Sequence, residues 1–171
     1  NTVRIWSFDS VTGQGKEVTQ LKGHTYWVRS VVWSPCGKFL ASSSLDCTVR
    51  IWSFDFATGQ CREVAQEFEP EHCFRNVAWS PCGQFLALGS DDTTIRIWSF
   101  DCVTWQTKNV AKHKGHTQEV TTVTWSPCGK FLASGSYDDT VRIWNFDSET
   151  HQGKEVAKLE GHTEWIDVVD W

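Results

Sequence analysis

The sequence predicts an all-β fold built from repeated four-stranded antiparallel sheets, because separate motifs recur with one common period. The strand-like segment Thr2–Trp6 returns at Thr48, Thr94 and Thr140, with a step of 46 residues each time. A Ser-Pro-Cys-Gly turn keeps this step, and so does a single tryptophan that occupies positions Trp33, Trp79, Trp125 and Trp171. A shared period of this length is typical of architectures in which each repeat is one supersecondary unit.

Within each repeat the residue types favour strands over helices. The Phe-Leu-Ala-Ser and Val-Arg-Ile-Trp runs are short, rich in β-branched and aromatic residues, and bounded by turn residues. Ser34–Gly37 fits a type I turn, with Ser first, Pro second and Gly fourth. Asp46 lies in a tight connection, and Ala57–Gln60 forms a longer loop before the last strand. About four strands per repeat is the size of a β-propeller blade.

Composition and charge exclude several classes of function. The chain has 171 residues and a formal net charge of -5, whereas a protein that binds nucleic acid is expected to carry a basic surface. No stretch approaches the roughly 20 apolar residues of a membrane span, and no N-terminal segment resembles a signal peptide. We therefore expect no nucleic-acid or membrane partner, and a cytoplasmic or nuclear protein that is not secreted.

The seven cysteines suggest reduced thiols. Their number is odd and none of their spacings matches a zinc site. Cys36, Cys82 and Cys128 occupy one turn position on successive repeats, where they would not converge. Adjacent residues of a strand point to opposite faces, so His72 and Cys73 are poor co-ligands for a metal. We expect no metal and no cofactor.

The motifs Gly-His, Ser-Pro-x-Gly, Leu-Ala-Ser-Gly-Ser-x-Asp and Val-Arg-Ile-Trp resemble the WD-repeat β-propeller family over essentially the whole chain. The resemblance implies a hydrogen-bonded structural tetrad in each regular blade. The implied tetrads are His24, Ser42, Asp46 and Trp52, and His116, Ser134, Asp138 and Trp144. The middle repeat departs from the pattern, with Glu69-Pro70 at the Gly-His position and Leu88 at the Ser position.

A His, a Ser and an Asp invite comparison with a catalytic triad, but a catalytic site is needed once and this set recurs with the blades. We therefore expect no catalytic residues and no enzyme activity. The recurring tryptophans are expected to pack between blades. The recurring arginines are expected on the strand surface: Arg4, Arg50, Arg96 and Arg142.

The resemblance also implies a recognition face at the end of the blades that carries the Gly-His loops and the tetrad Asp turns. Positions there vary between repeats while the framework is constant, as expected of binding loops on a rigid scaffold. Aromatic side chains dominate interface energetics, which makes four residues the strongest candidates: Tyr26, Trp27, Tyr137 and Trp165. The whole candidate face is Tyr26, Trp27, Arg29, Leu45, Arg75, Asp91, Glu119, Tyr137, Trp165 and Asp167.

The chain contains about 3.7 repeats of 46 residues, whereas closed propellers need about four to eight blades. The expected division is a partial blade at 1–22, blades at 23–68, 69–114 and 115–160, and a partial blade at 161–171. The ring is then completed by a second chain, with a homodimer favoured, or by further sequence. Near-identical repeats also fit an engineered or fragmentary repeat protein whose main property is ring assembly.

The function that these patterns favour is a non-enzymatic scaffold that binds other proteins or peptides. A narrower alternative comes from the phrase Val-Ala-Trp-Ser-Pro-Cys-Gly, which is similar to the propeller of the cytosolic iron–sulfur assembly targeting complex. A ligand-binding or enzymatic propeller would need a unique polar cluster, and the sequence offers none.

Overall fold

The computed structural model describes residues 1–171 and contains fourteen β-strands and no helix. The strands form one two-stranded sheet and three four-stranded sheets, each with its strands in chain order. All pairs are antiparallel. The predicted fold class is confirmed: the chain is an open array of propeller blades, and the ring is not closed within it.

The strands have the following bounds. The two-stranded sheet contains β1 (Thr2–Asp9) and β2 (Gln14–Lys22). The first blade contains β3 (Val28–Trp33), β4 (Phe39–Ser44), β5 (Thr48–Asp55) and β6 (Gln60–Phe68). The second blade contains β7 (Phe74–Trp79), β8 (Phe85–Ser90), β9 (Thr94–Phe100) and β10 (Thr107–Lys114). The third blade contains β11 (Val120–Trp125), β12 (Phe131–Ser136), β13 (Val141–Asn145) and β14 (Glu155–Leu159).

The turns define two ends of the array. At the lower end, the Gly37 amide donates to the Ser34 carbonyl at 2.8 Å, and the Ser34 hydroxyl accepts from the Phe39 amide at 3.0 Å. Gly37 has a φ of 72°, a left-handed conformation that glycine adopts without a steric penalty. The upper end carries the loops that precede the first strand of each blade and the tight turns between its second and third strands.

The apolar core lies between neighbouring sheets, because each blade buries one face against the next. One cluster joins the first and second blades through Ile51, Phe74 and Leu88, which are all at most 1% exposed. A second cluster joins the second and third blades, and a third joins the two-stranded sheet to the first blade.

The recurring tryptophans occupy these boundaries to different extents. Trp79 and Trp125 are buried, and the indole of Trp125 donates to the Ala78 carbonyl of the preceding blade. Trp33 is 39% exposed and Trp171 is 51% exposed, so the expected inter-blade packing is only partial at these two positions. Fewer strands flank them, and the rings keep one open side.

Residues 160–171, which include the expected partial blade at 161–171, form no strand. A strand needs a hydrogen-bonded neighbour along its length, and no strand pairs with this segment. It is held instead against the third blade. The Ile166 amide donates to the Ser136 carbonyl at 3.2 Å, and the Trp171 indole donates to the Thr124 carbonyl at 3.4 Å.

Candidate functional site

The first blade brings His24, Ser42, Asp46 and Trp52 into one hydrogen-bonded chain. The Trp52 indole N–H donates to the Ser42 Oγ at 3.0 Å, and Ser42 Oγ lies 2.8 Å from His24 Nε2. His24 Nδ1 lies 2.9 Å from Asp46 Oδ2. Because Asp46 accepts, Nδ1 carries the proton, and Nε2 then accepts from the Ser42 hydroxyl. Hydrogen bonds donated in sequence from Trp52 to Ser42, from Ser42 to His24 and from His24 to Asp46 therefore give each of these groups a partner while the imidazole stays neutral.

The third blade repeats this arrangement with His116, Ser134, Asp138 and Trp144. The indole donates to Ser134 Oγ at 2.8 Å, and the imidazole contacts Ser134 at 2.7 Å and Asp138 at 2.8 Å. The two serines are fully buried. Hydroxyls enclosed in this way have no access to a substrate.

The tetrad carboxylates also fix the upper loops. Asp46 Oδ2 accepts from the Thr25 amide at 2.8 Å, and Asp46 Oδ1 accepts from the Thr48 hydroxyl at 2.6 Å. Burial raises the pKa of Asp46, but the hydrogen bonds from Thr48, Thr25 and His24 outweigh it and lower the pKa to about 2. Burial lowers the pKa of His24 despite the opposing effect of Asp46, so the imidazole favours its neutral form.

The second blade builds a different upper end around Asp92. The Arg96 guanidinium donates to Asp92 Oδ2 at 2.8 Å, and the Lys112 ammonium donates to the same oxygen at 3.0 Å. His72 Nε2 is 3.9 Å from this oxygen, so His72 does not replace the missing tetrad His. Burial raises the pKa of Asp92, but bonds from Thr94 and Lys112 outweigh it and hold the pKa well below its ordinary value.

The expectation that the recurring arginines are surface residues is wrong for two of them. Arg96 is 4% exposed and Arg142 is 8% exposed. Arg142 is paired with Glu155 on the neighbouring strand, as Arg50 is with Glu63. The matching residue of the second blade is Asn109, and there Arg96 turns to Asp92 and Glu69 instead.

The upper end presents exposed aromatic side chains. Tyr26 and Trp27 are 51% and 61% exposed and stack on each other, with ring centroids 5.6 Å apart. Trp165 is 65% exposed and lies 4.7 Å, centroid to centroid, from the half-buried Tyr137. The Leu45 amide donates to the Trp27 carbonyl at 2.9 Å, which joins the loop to the neighbouring turn.

Three residues of this end are the extra residues of β-bulges. The pairing register shifts around Arg29, Arg75 and Thr121 in the first strands of the three blades. Bulges re-aim side chains and are common beside functional sites. Arg75 pairs with Glu119 of the third blade and lies 5.4 Å from the Tyr137 ring centroid. This ion pair connects the second and third blades across the upper end.

The other predicted face residues lie at the same end. Asp91 Oδ1 accepts from the Cys73 amide at 3.0 Å and is 3.7 Å from His72 Nδ1. Leu45 is half-buried in the upper turn of the first blade, and Arg29 and Asp167 are exposed.

The sequence reasoning missed a cross-link between blades. Cys47 and Cys73 form a disulfide, with their Cα atoms 4.1 Å apart. The expectation of reduced thiols is therefore wrong for these two residues, while the other five cysteines are free. Absence of a cysteine from the corresponding repeats does not single out this pair, because the free Cys61 and Cys102 share that property.

No group of three or more His, Cys, Asp or Glu side chains is placed to hold a metal ion. The structure has no helix long and apolar enough to cross a bilayer.

Comparison with known proteins identifies the class of protein. The family model "WD domain, G-beta repeat" matches residues 15–53, 65–99 and 107–145, about two thirds of the chain. The chain belongs to this family of WD-repeat β-propellers.

Among curated relatives, the chain is 54% identical over 48 residues to "Probable cytosolic iron-sulfur protein assembly protein Ciao1" of Culex quinquefasciatus. It is 43% identical over 51 residues to "Protein transport protein SEC13" of Lodderomyces elongisporus. Each match covers 28% of this chain, and 14% and 17% of the respective relative. The matches thus span less than a fifth of these proteins and little more than one 46-residue repeat.

Solved structures share the fold. "Crystal structure of RRP9 WD40 repeats" matches with a TM-score of 0.70 and 25% identity, over 85% of this chain and 42% of the other. "Crystal Structure of Mitotic Checkpoint Complex" matches with a TM-score of 0.73 and 20% identity, over 100% of this chain and 50% of the other. This chain therefore spans about half the length of the propellers that it resembles.

Proposed function

We propose that this chain is a non-enzymatic protein-interaction scaffold whose upper end binds a protein or peptide. The observation that carries the proposal is the set of exposed aromatic side chains at that end, Tyr26, Trp27 and Trp165. Large aromatic rings contribute a disproportionate share of binding energy when a partner covers them.

The fixed geometry of the upper loops supports this proposal. Asp46 holds the Thr25 amide, directly before Tyr26 and Trp27, and Asp138 holds the Thr117 amide at 2.9 Å in the same way. Loops that are ordered before binding lose little conformational entropy when a partner docks. In this proposal the tetrads are structural parts that position the loops.

The chemistry of the His, Ser and Asp side chains supports a scaffold over a hydrolase. Both nitrogens of His24 already have partners, and Ser42 is fully buried. A general base needs a free position within hydrogen-bond reach of the reacting proton. A nucleophile needs access to its substrate, which Ser42 lacks.

The test is selection of peptides from a display library on the immobilised chain, followed by affinity measurement with variants. We expect the Trp27→Ala, Trp165→Ala double variant to bind selected peptides at least tenfold more weakly. The control is Phe8→Ala, because Phe8 is 72% exposed but lies toward the lower end of β1. Peptides that bind the double variant with unchanged affinity would place the binding surface elsewhere.

A second proposal is self-assembly, with two copies completing one ring. The observation that favours it is Trp6, which is 58% exposed, whereas the corresponding Trp52 is 4% exposed within its four-stranded sheet. The edge of β1 that faces away from β2 has unpaired backbone groups, which tend to pair with another strand. Light scattering should then give twice the 19.5 kDa chain mass, independent of concentration. A mass of one chain at all concentrations would exclude the dimer.

Assignment to a particular assembly rests on the relatives. Similarity to the iron–sulfur assembly protein favours a related role, but the matches to SEC13 cover the same share of this chain. Each of these relatives matches this chain over about one blade. We therefore propose a cytoplasmic or nuclear interaction scaffold as the function.

A further inference from the structure

The Cys47–Cys73 pair joins two blades at the upper end. Cys47 lies in the turn between β4 and β5 of the first blade, and Cys73 directly precedes β7 of the second blade. Cys73 is also two residues before Arg75, which belongs to the candidate binding face. A bond between these sulfurs therefore ties the upper loop of one blade to the upper turn of its neighbour.

The second blade lacks the anchor that holds this loop in the other blades. In the first and third blades, a buried His and a Thr amide bind the tetrad Asp of the same blade. In the second blade the corresponding positions hold Pro70 and Glu71, and Asp92 is bound by Arg96 and Lys112. The loop of residues 69–73 must be positioned by other contacts.

Those other contacts converge on the same two cysteines. The Glu69 amide donates to the Cys47 carbonyl at 3.1 Å, and the Cys73 amide donates to Asp91 Oδ1 at 3.0 Å. The first of these bonds continues the pairing of β5 with β6 in the first blade, and the second lies within the second blade. The disulfide is the contact that connects the end of the loop to the first blade.

Comparison of the repeats shows that the pair is specific to this boundary. The positions that match Cys47 hold Thr93 and Asp139, and those that match Cys73 hold Trp27, Glu119 and Trp165. Both cysteines therefore occur at the one boundary where the second blade has lost its His and Ser.

We propose that Cys47 and Cys73 form an oxidation site that replaces the lost tetrad as the anchor of residues 69–73. Oxidation by a low-molecular-weight disulfide follows thiol–disulfide exchange. One thiolate attacks the reagent and releases one small thiol; the second thiolate then attacks the mixed disulfide and releases another. The two cysteines lose two electrons and two protons, and the reagent is reduced to two thiols.

The reduced state leaves the loop with weaker connections. Cys73 Sγ lies 3.7 Å from the Leu45 carbonyl, so a thiol there can donate only a weak hydrogen bond. The backbone bonds from Glu69 and Cys73 persist, so the loop stays in place but opens more often. Local opening of this kind is what amide hydrogen exchange measures.

The experiment compares the whole chain in reduced and oxidised glutathione. We expect peptide mapping without reductant to yield one cross-linked species that contains Cys47 and Cys73. Amides of residues 69–73 should exchange at least tenfold faster after reduction, while those of 23–27, held by Asp46, stay unchanged. Mixed disulfides at the exposed Cys36, Cys82 and Cys128 serve as internal controls for oxidant activity.

The matched variant is Cys47→Thr, which installs the residue of the second blade. Cys47 and Thr93 share the left-handed conformation, with φ of 62° and 68°, so the turn tolerates the change. This variant should exchange at the reduced rate in both buffers. Glutathione on both Cys47 and Cys73 without a cross-link would overturn the proposal, and so would equal exchange of the loop in both states. Neither readout involves a partner, so this test is separate from that of the binding face.

Discussion

Replacing Ser42 by alanine tests whether the tetrad stabilises the first blade. The hydroxyl of Ser42 is the shared partner of His24 Nε2 at 2.8 Å and Trp52 Nε1 at 3.0 Å. His24 is 6% exposed and Trp52 is 4% exposed, so water does not readily replace the lost oxygen. Each buried polar group left without a partner costs about 1–3 kcal/mol. We therefore expect Ser42→Ala to lower the free energy of unfolding by about 2–6 kcal/mol.

The neighbouring residue supplies a control of opposite sign. Ser43 is on the same strand and is also fully buried, but its hydroxyl has no hydrogen-bond partner. Ser43→Ala removes the same oxygen without orphaning another group. Because it also removes a buried unsatisfied hydroxyl, stability should stay unchanged or rise by about 1 kcal/mol.

Urea denaturation measures both effects, read from the midpoint at an unchanged slope. Ser134→Ala in the third blade should repeat the Ser42→Ala result, because its bonds are equally short at 2.7 and 2.8 Å. The double variant Ser42→Ala, His24→Ala should lose less unfolding free energy than the sum of the losses of the two single variants, by at least about 1 kcal/mol. Equal losses for Ser42→Ala and Ser43→Ala would refute the reasoning.

Two further predictions follow from charge. The folded pKa of His24 is below its ordinary 6.5, so the unfolded chain binds protons first and stability should fall as the pH drops below about 6.5. The pKa of Asp46 is about 2 against an ordinary 3.8, so stability should fall again between about pH 4 and 2. Melting temperatures measured from pH 8 to 3 check the first fall and the onset of the second. A melting temperature that does not change over this range would contradict both predictions. Arg96→Ala removes the buried guanidinium partner of Asp92, whose carboxylate keeps its bonds from Lys112 and Thr94, and should cost about 1.5–3 kcal/mol in urea unfolding. The control is Arg4→Ala, because the Arg4 side chain is 54% exposed and its loss should cost under about 0.5 kcal/mol. Equal losses of unfolding free energy for the two variants would mean that the ion pair of Arg96 contributes nothing to stability.

The repeat made the architecture predictable from the sequence. A period that is shared by several motifs specifies strand order and turn positions, and the strands and the Ser34–Gly37 turn lie where the pattern places them. Residue type alone does not predict a strand where no neighbouring strand is available for pairing, as in residues 160–171.

The details at the second blade were not predictable from single positions. The ion partner of Arg96 depends on Asn109, which lies on another strand at the position where the other repeats have a glutamate. Likewise, Cys47 and Cys73 are 26 residues apart and meet only because neighbouring blades stack. Both features depend on contacts between strands or blades, which periodicity within one repeat does not describe.

The second blade is best understood as a coupled replacement of the tetrad. Leu88 is fully buried and belongs to the apolar cluster with Phe74 and Trp98, so the Ser hydroxyl gives way to packing. With the His also replaced, the remaining Asp92 needs positive charge, and the loss of a glutamate at Asn109 frees Arg96 to supply it. In the second blade, the neutral hydrogen bonds of the tetrad are thus replaced by the apolar contacts of Leu88 and by the ion pairs of Asp92 at the upper end. Salt screens buried ion pairs much less than exposed ones, so the buried Arg96–Asp92 pair should persist as ionic strength rises, whereas the contact of Lys112, whose side chain is 38% exposed, should weaken.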